Sequence, residues 1–137
     1  MARQAGMAGM DETKAADIRI LVVDDDLSAR QSLIQGLRNC GYHVKGAEDG
    51  LQALHYLQRE RFNLVVTDIQ MPRMDGIALL REIRRTDYAP VVVQTTLVDP
   101  DLQDMLRRAG ASRVLKKGEA VAKLPRLVEE ICRKNLE

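Results

Sequence analysis

Apolar and polar positions along the chain fall into blocks of two kinds. Five short, mostly apolar runs predict buried strands, at residues 18–23, 42–47, 64–67, 90–95 and 113–116. Each run is followed by a more polar segment in which apolar residues recur at helical spacing, and these segments predict five helices. Because strands and helices alternate, the pattern predicts a parallel sheet with right-handed crossovers and helices on both of its faces.

Capping residues set the expected helix boundaries. Asp26 or Ser28 can cap the first helix, and the pairs at 49–50, 75–76 and 99–100 open the next three. The positions expected to face the core are Leu27, Leu33, Ile34 and Leu37; Leu51, Leu54 and Leu57; Ile77, Leu80 and Ile83; and Leu124, Leu127, Val128 and Ile131. Pro125 disfavours a helix interior, so we expect the last helix to begin near Leu124.

Reactive or charged side chains follow four of the five predicted strands. The first strand ends in Asp24 and Asp25, the third in Asp68, the fourth in Thr95 and the fifth in Lys117. In an open α/β sheet the carboxyl ends of the strands meet at one edge, where ligands bind. Close carboxylates repel one another by roughly 4 kcal/mol per pair at 4 Å and an effective dielectric of 20. A divalent cation removes that cost, and oxygen ligands suit Mg²⁺.

Such an edge can support phosphoryl transfer. A carboxylate nucleophile at Asp68 would form an aspartyl phosphate, and a cation would offset the charge of the arriving group. Lys117 can supply a point charge to the phosphoryl oxygens. Thr95 can supply a hydroxyl that moves to meet them, which would make it the element that the modification biases.

Simpler interpretations of the same residues exist. Asp24 and Asp25 could be only a helix-capping cluster, and Thr67 and Thr96 are alternative hydroxyls near Thr95. Lys116 competes with Lys117 for the phosphoryl group, but alternation along the strand points the two side chains to opposite sides, so only one can serve.

Four segments in this order carry a family resemblance: residues 20–26, 65–76, 90–95 and 109–117. With them the chain resembles the receiver domain of two-component response regulators, in the short stand-alone form typified by the chemotaxis regulator. The resemblance spans about residues 18–135. It implies a flavodoxin-like (βα)5 fold, a three-layer sandwich with a doubly wound, five-stranded parallel sheet.

The resemblance also implies a function. It assigns six residues: Asp68 as phosphoacceptor; Asp24, Asp25, Asp68 and the backbone carbonyl of Gln70 as ligands of Mg²⁺; Thr95 as switch hydroxyl; and Lys117 as the lysine that pairs with phosphate. A histidine kinase or a histidine phosphotransfer protein would donate the phosphoryl group, and slow hydrolysis would remove it. The product would be a changed binding surface for a downstream protein, so the chain would not be a turnover enzyme.

The sequence departs from the family pattern at three positions. Gly118 stands where the family usually has proline, so no cis peptide is expected there. Val114 holds the position of a switch aromatic, and Pro125 suggests a longer loop beside the site. These changes affect the expected output through the fourth helix and fifth strand, and they leave open a receiver-like interaction module that no longer responds to phosphate.

A small phosphatase is a second alternative. Asp24 and Asp26 after an apolar strand also resemble the nucleophile motif of haloacid-dehalogenase-like phosphatases, with Asp24 as nucleophile and Asp26 as acid/base. That motif favours threonine or valine at the position of Ser28. It also needs a later acidic pair after a strand and usually a cap insertion, and neither of these two is evident in so short a chain.

Composition narrows the class of partner. A chain of 137 residues with net charge +1 fits one domain and gives no electrostatic argument for nucleic acid or an anionic membrane. No apolar run approaches the roughly 20 residues of a membrane span. Residues 1–17 lack the apolar core of a signal peptide, so we expect a mobile tail, a receiver domain at 18–137 and a cytoplasmic protein. Cys40 and Cys132 lack metal-type spacing and are expected to be free thiols.

Overall fold

Five strands and five helices alternate in the computed structural model, which describes residues 15–71, 73–86, 89–96 and 99–136, with side chains through Cys132. The strands are β1 (Arg19–Val23), β2 (His43–Ala47), β3 (Leu64–Asp68), β4 (Val91–Thr95) and β5 (Arg113–Lys116). The helices are α1 (Leu27–Asn39), α2 (Gly50–Arg59), α3 (Gly76–Thr86), α4 (Pro100–Arg108) and α5 (Ala120–Leu136). Short 3-10 turns lie at Ala15–Asp17 and Lys117–Glu119.

The expected tail falls mostly outside these ranges. Residues 1–14 are not among those described, whereas Ala15–Asp17 forms a turn directly before β1, and Ala15 packs against the core. Within the described ranges, no helix is both long enough and apolar enough to cross a bilayer.

The strands form one parallel sheet in the order β2-β1-β3-β4-β5, which confirms the predicted fold class. Val23 is in register with Thr67, and Asp68 is in register with Gln94. The ends of β1, β3 and β4 therefore lie side by side at one edge of the sheet. The strand order reverses between β1 and β3, and such a switch point opens a crevice at the carboxyl edge.

Helices cover both faces of the sheet, which explains why the strands are continuous apolar runs rather than alternating ones. One core cluster joins one face of the sheet to α1 and α5, through residues such as Leu33 and Leu124. The other joins the opposite face to α2, α3 and α4, through residues such as Leu57, Leu80 and Leu106. Each of these leucines is almost fully buried, and burial of such a side chain contributes about 1.5–3 kcal/mol.

Helix caps agree with the sequence. Asp26, rather than Ser28, caps α1 by accepting a hydrogen bond from the backbone N–H of Ala29. Asp49 caps α2 in the same way, and Asp99 caps α4 with Pro100 in the first turn. Each cap satisfies a backbone N–H that the helix itself cannot pair.

The predicted start of the last helix is wrong. The helix α5 begins at Ala120, and Pro125 lies inside it. Proline lacks the N–H that would reach the carbonyl of Val121 four residues earlier, but Val121 is 49% exposed, so water can satisfy that carbonyl. Fully buried Ala120 anchors the first turn against the core.

Two residues expected in the core are exposed. Leu27 and Leu51 are 55% and 50% exposed, whereas Leu37, Ala53 and Leu57 are buried. Leu27 lies in the first turn of α1, where Asp26 and Ser28 are exposed as well. Leu51 comes directly after buried Gly50, so it lies off the inward face of α2. Helical spacing identifies the inward face of a helix, but it does not show how far the core extends along the axis.

Candidate functional site

Three aspartates meet at the carboxyl edge of the sheet. Asp24 follows β1 directly, Asp25 comes next, and Asp68 is the last residue of β3. One carboxylate oxygen from each lies within 4.8 Å of the others. Asp24 and Asp68 are buried, whereas Asp25 is exposed to solvent. Sequence reasoning placed these three acids together, and the structure does so as well.

The fully buried side chain of Asp24 has three partners: one backbone N–H, one side-chain amide and one ammonium group. Its Oδ1 accepts from the backbone N–H of Asp26 at 2.9 Å, and its Oδ2 accepts from the side-chain amide of Gln94 at 3.2 Å. The Nζ of Lys117 lies 3.2 Å from the same Oδ2. Burial raises the pKa of Asp24 above its ordinary value, because the hydrogen bonds from Asp26 and Lys117 offset the desolvation only in part.

Lys117 bridges the two buried acids. It follows β5 in the turn Lys117–Glu119, and its Nζ donates to Asp68 Oδ2 at 2.6 Å. Partial burial tends to lower the pKa of Lys117, but hydrogen bonds and charge from Asp68 and Asp24 outweigh it and raise that pKa. Lys116 is exposed and in register with Thr95, so Lys117 is the lysine at the acidic cluster.

The loop between β3 and α3 brings backbone very close to Asp68. The carboxylate of Asp68 accepts from the N–H of Ile69 at 2.7 Å, and the N–H of Gly76 donates to the carbonyl of Ile69 at 2.7 Å. A Cβ added at Gly76 would lie 2.0 Å from the carbonyl oxygen of Asp68. Only glycine fits there without moving the backbone of Asp68.

An ion pair fastens the same loop to α2. Arg73 has a left-handed backbone with φ 67°, which is uncommon for a residue with a side chain. Its guanidinium pairs with the buried carboxylate of Asp49, the cap of α2. Desolvation tends to raise the pKa of Asp49, but hydrogen bonds from Gln52 and Arg73 and the charge of Arg73 lower it overall. Sequence reasoning missed this contact, since 24 positions separate its partners.

An open cleft of about 790 Å³ lies above the acids. Its lining consists of Asp25, Asp68, Ile69, Gln70, Met71, Asp75, Thr96 and Lys117. The donor set is made of oxygens: three carboxylates form the cluster, and Lys117 contacts two of them, Asp24 and Asp68. Such a set fits a hard divalent cation with incomplete protein coordination.

The candidate hydroxyls occupy different places. Thr95 ends β4 and is 3% exposed, and strand alternation puts it on the opposite face of the sheet from Gln94. Thr96 borders the cleft, and the hydroxyl of Thr67 donates to the backbone carbonyl of Asp68. The switch role of Thr95 therefore stays a prediction.

Two departures from the family pattern can be located. Gly118 follows Lys117 through a trans peptide, as expected for a residue other than proline. Val114 is partly buried and packs against the core cluster on the side of α2, α3 and α4.

Gln94 is a site residue that sequence reasoning overlooked. It is 1% exposed and follows three buried valines in β4, and its side-chain amide donates a hydrogen bond to Asp24. A polar side chain in an otherwise apolar strand was the available signal, because a buried amide needs a partner.

Comparisons with known proteins agree with this geometry. The family model described as response regulator receiver domain matches residues 20–129. Protein-glutamate methylesterase/protein-glutamine glutaminase 4 of Myxococcus xanthus is 45% identical over 104 residues, which cover 73% of this chain and 30% of that protein. Response regulator MprA of Mycobacterium leprae is 36% identical over 118 residues, covering 85% of this chain and 52% of that protein. The chain thus spans about a third to a half of these curated relatives.

Solved structures show the same fold. Chemotaxis protein CheY4 of Vibrio cholerae superposes with a TM-score of 0.78 at 29% identity, covering 83% of this chain and 98% of that chain. Response regulator TrrA of Thermotoga maritima, solved in complex with Mg²⁺-BeF, superposes with a TM-score of 0.75 at 30% identity. The match covers 83% of this chain and 98% of that chain. The family match over residues 20–129, together with the acidic cluster and its lysine, shows that this chain belongs to the response regulator receiver domain family.

Proposed function

We propose that Asp68 accepts a phosphoryl group from a histidine kinase or a histidine phosphotransfer protein. The observation that carries this proposal is the arrangement around Asp68: Asp24 and Asp25 each place a carboxylate oxygen within 4.8 Å of one of its own, and the Nζ of Lys117 lies 2.6 Å from its Oδ2. The carboxylate faces an open cleft, so a donor's phosphohistidine can reach it.

The transfer is a displacement at phosphorus. An oxygen of Asp68 forms a P–O bond while the P–N bond of the phosphohistidine breaks. The donor's ring carries a proton on its other nitrogen, so the histidine leaves with the P–N electron pair as neutral imidazole. Lys117 then exchanges its contact with Asp68 Oδ2 for the phosphoryl oxygens, a short movement for a flexible ammonium group.

Mg²⁺ fits this site, with Asp24, Asp25, Asp68 and the backbone carbonyl of Gln70 as the residues that would hold it. When bound, the cation supplies positive charge that offsets the charge of the incoming phosphoryl group. Two observations support it: the all-oxygen donor set, and the Mg²⁺-BeF complex of the similar regulator TrrA.

The proposed output depends on a movement near the same site. Thr95 is proposed as the hydroxyl that moves toward the phosphoryl group, and β4 and α4 would carry that change to the surface. Val114 offers a smaller side chain than a ring to couple with this movement, so we propose a binding surface that differs from that of receivers with an aromatic there. The recipient would be a downstream protein in the cytoplasm, not nucleic acid, since the net charge is only +1.

The phosphatase alternative has little support in the structure. Asp26, which would be its acid/base, caps α1 by accepting from the N–H of Ala29 at 3.1 Å. The carboxylate that the reaction would need is thus engaged at a helix terminus.

Phosphorylation by a small-molecule donor tests the proposal. Acetyl phosphate with Mg²⁺ is expected to add one phosphoryl group to the wild-type chain by intact-mass spectrometry, and none to Asp68→Asn. Asp75→Asn is the matched control, because Asp75 lines the same cleft and asparagine can still cap α3. Equal labelling of Asp68→Asn, or no labelling of the wild type, would overturn the assignment; the second result would favour an interaction module that does not respond to phosphate.

A further inference from the structure

We propose that Gln94 is a positioning residue for the cation site, acting through Asp24. The inference rests on the proposed Mg²⁺-dependent phosphorylation. Gln94 is 1% exposed, and its Nε2 donates to Asp24 Oδ2 at 3.2 Å. Asp24 is itself fully buried, so the contact is closed off from water.

The register of the sheet explains how this contact arises. Asp68 is paired with Gln94, and Val23 is paired with Thr67, so Asp24, Asp68 and Gln94 occupy one row on one face. The strands β1 and β4 are not neighbours, because β3 lies between them. With strands about 4.8 Å apart, the contact must cross roughly two strand spacings. Glutamine has the length to meet the aspartate over that distance, whereas asparagine is one methylene shorter.

The chemistry of the donors gives Gln94 a specific task. Asp24 accepts hydrogen bonds from the N–H of Asp26, from Gln94 and from Lys117. Only Lys117 is charged, and it also serves Asp68. When Lys117 turns to a phosphoryl group, the backbone N–H of Asp26 and the amide of Gln94 remain to hold the Asp24 carboxylate. Both are neutral, so they orient the carboxylate without cancelling the charge that attracts a cation.

Residues that orient a metal ligand typically change metal affinity by about 10- to 100-fold when they are removed. Gln94 is therefore expected to set the affinity for Mg²⁺ rather than the chemistry at Asp68. A higher Mg²⁺ concentration should therefore restore the labelling of Asp68 in a variant that lacks the Gln94 amide.

The test compares Mg²⁺ binding by the wild type and Gln94→Met, which keeps the length of the side chain but not the donor. Isothermal titration calorimetry is expected to show about 10-fold weaker Mg²⁺ binding. Labelling by acetyl phosphate should need correspondingly more Mg²⁺ and reach the wild-type rate at saturation. Gln35→Met is the control for the exchange itself, since Gln35 is exposed on α1 and bonds to Asn39. Gln94→Asn keeps a polar amide that is too short to reach Asp24, so its Mg²⁺ affinity should match that of Gln94→Met. It replaces Gln94→Met in the test if that variant does not fold.

A double-mutant cycle with Asp24→Asn separates positioning from a general packing role. If Gln94 acts through Asp24, the double variant binds Mg²⁺ as weakly as Asp24→Asn alone. Further weakening in the double variant would overturn the inference. Unchanged Mg²⁺ affinity in both Gln94→Met and Gln94→Asn would also overturn it, while leaving the proposed function intact if the wild type is still labelled. A wild type that neither binds Mg²⁺ nor becomes labelled would remove both.

Discussion

Lys117 lies between Asp24 and Asp68. Without its ammonium group, these two buried carboxylates would face each other with no positive charge between them. Its ammonium contacts both acids, and its side chain is 22% exposed. The lysine thus lowers the repulsion at the site when no cation is bound. A cation and Lys117 consequently compete for the same carboxylate oxygens.

Replacing Lys117 with methionine should make the protein less stable without Mg²⁺ and more responsive to it. Removing one partner of a buried ion pair costs about 3–5 kcal/mol, and the partial exposure of Lys117 reduces our expectation to roughly 2 kcal/mol. Thermal unfolding with and without Mg²⁺ measures both effects. Lys116→Met is the matched control, because Lys116 is exposed at the end of β5. An equal Mg²⁺ response in wild type and Lys117→Met would contradict competition between the lysine and the cation.

Asp24 and Asp49 should respond to acid in opposite directions. Burial raises the folded pKa of Asp24 above 3.8, so its contribution to the free energy of unfolding is fully present below pH 3.8 and is lost as pH rises through the raised pKa. The pKa of Asp49 is lowered, so its contribution is present above pH 3.8 and is lost as pH falls through the lowered pKa.

Stabilisation by Mg²⁺ requires ionised Asp24, whose pKa is raised, so it should fade on acidification before the pH reaches 3.8. The measurement is the Mg²⁺-induced shift in unfolding temperature as a function of pH. Stabilisation by Mg²⁺ that persists unchanged down to pH 3.8 would contradict the raised pKa of Asp24.

Elements of the fold place the site through close backbone contacts as well as through side chains. The start of α3 is pressed against the end of β3, so that Gly76 approaches the carbonyl of Asp68. The ion pair between Arg73 and Asp49 joins the intervening loop to the start of α2. Asp68 is therefore fixed from its own strand, from the following helix and from the intervening loop.

Gly76→Ala should disturb the site, whereas Gly118→Ala should not. A Cβ at Gly76 would meet backbone at 2.0 Å, so the loop must shift, with a loss of about 2 kcal/mol or more in the free energy of unfolding. A displacement of Asp68 by about 1 Å would slow labelling by roughly 100-fold. A Cβ at Gly118 meets nothing within 4 Å, so this variant should keep both properties near those of the wild type. Wild-type labelling by Gly76→Ala would show that the close contact does not fix Asp68.

The elements also show where sequence reasoning succeeds and where it fails. Strand ends and caps such as Asp26 and Asp99 were predictable because a local pattern determines them. The exposure of Leu27 could not be predicted, because helical spacing shows which face of a helix points inward but not where along the helix the core ends. The start of α5 was missed because Ala120 packs into the core and outweighs the local effect of Pro125.

At the scale of the whole molecule, the strand order β2-β1-β3-β4-β5 brings residues from distant parts of the sequence to one edge. Lys117 and Asp24 are 93 positions apart, yet their side chains touch. Alternating strands and helices predicted this convergence from sequence. The contact of Gln94 with Asp24 needed the register of three strands, which no local pattern reveals.

The most direct measurement of the central claim is to locate the phosphoryl group. After acetyl phosphate and Mg²⁺, borohydride reduction converts an aspartyl phosphate to homoserine, and tandem mass spectrometry of the digested chain identifies the position. We predict homoserine at position 68 only, and only when Mg²⁺ is present. Homoserine at Asp24, Asp25 or Asp75, or a phosphoryl group found on a hydroxyl or lysine side chain instead, would contradict the account.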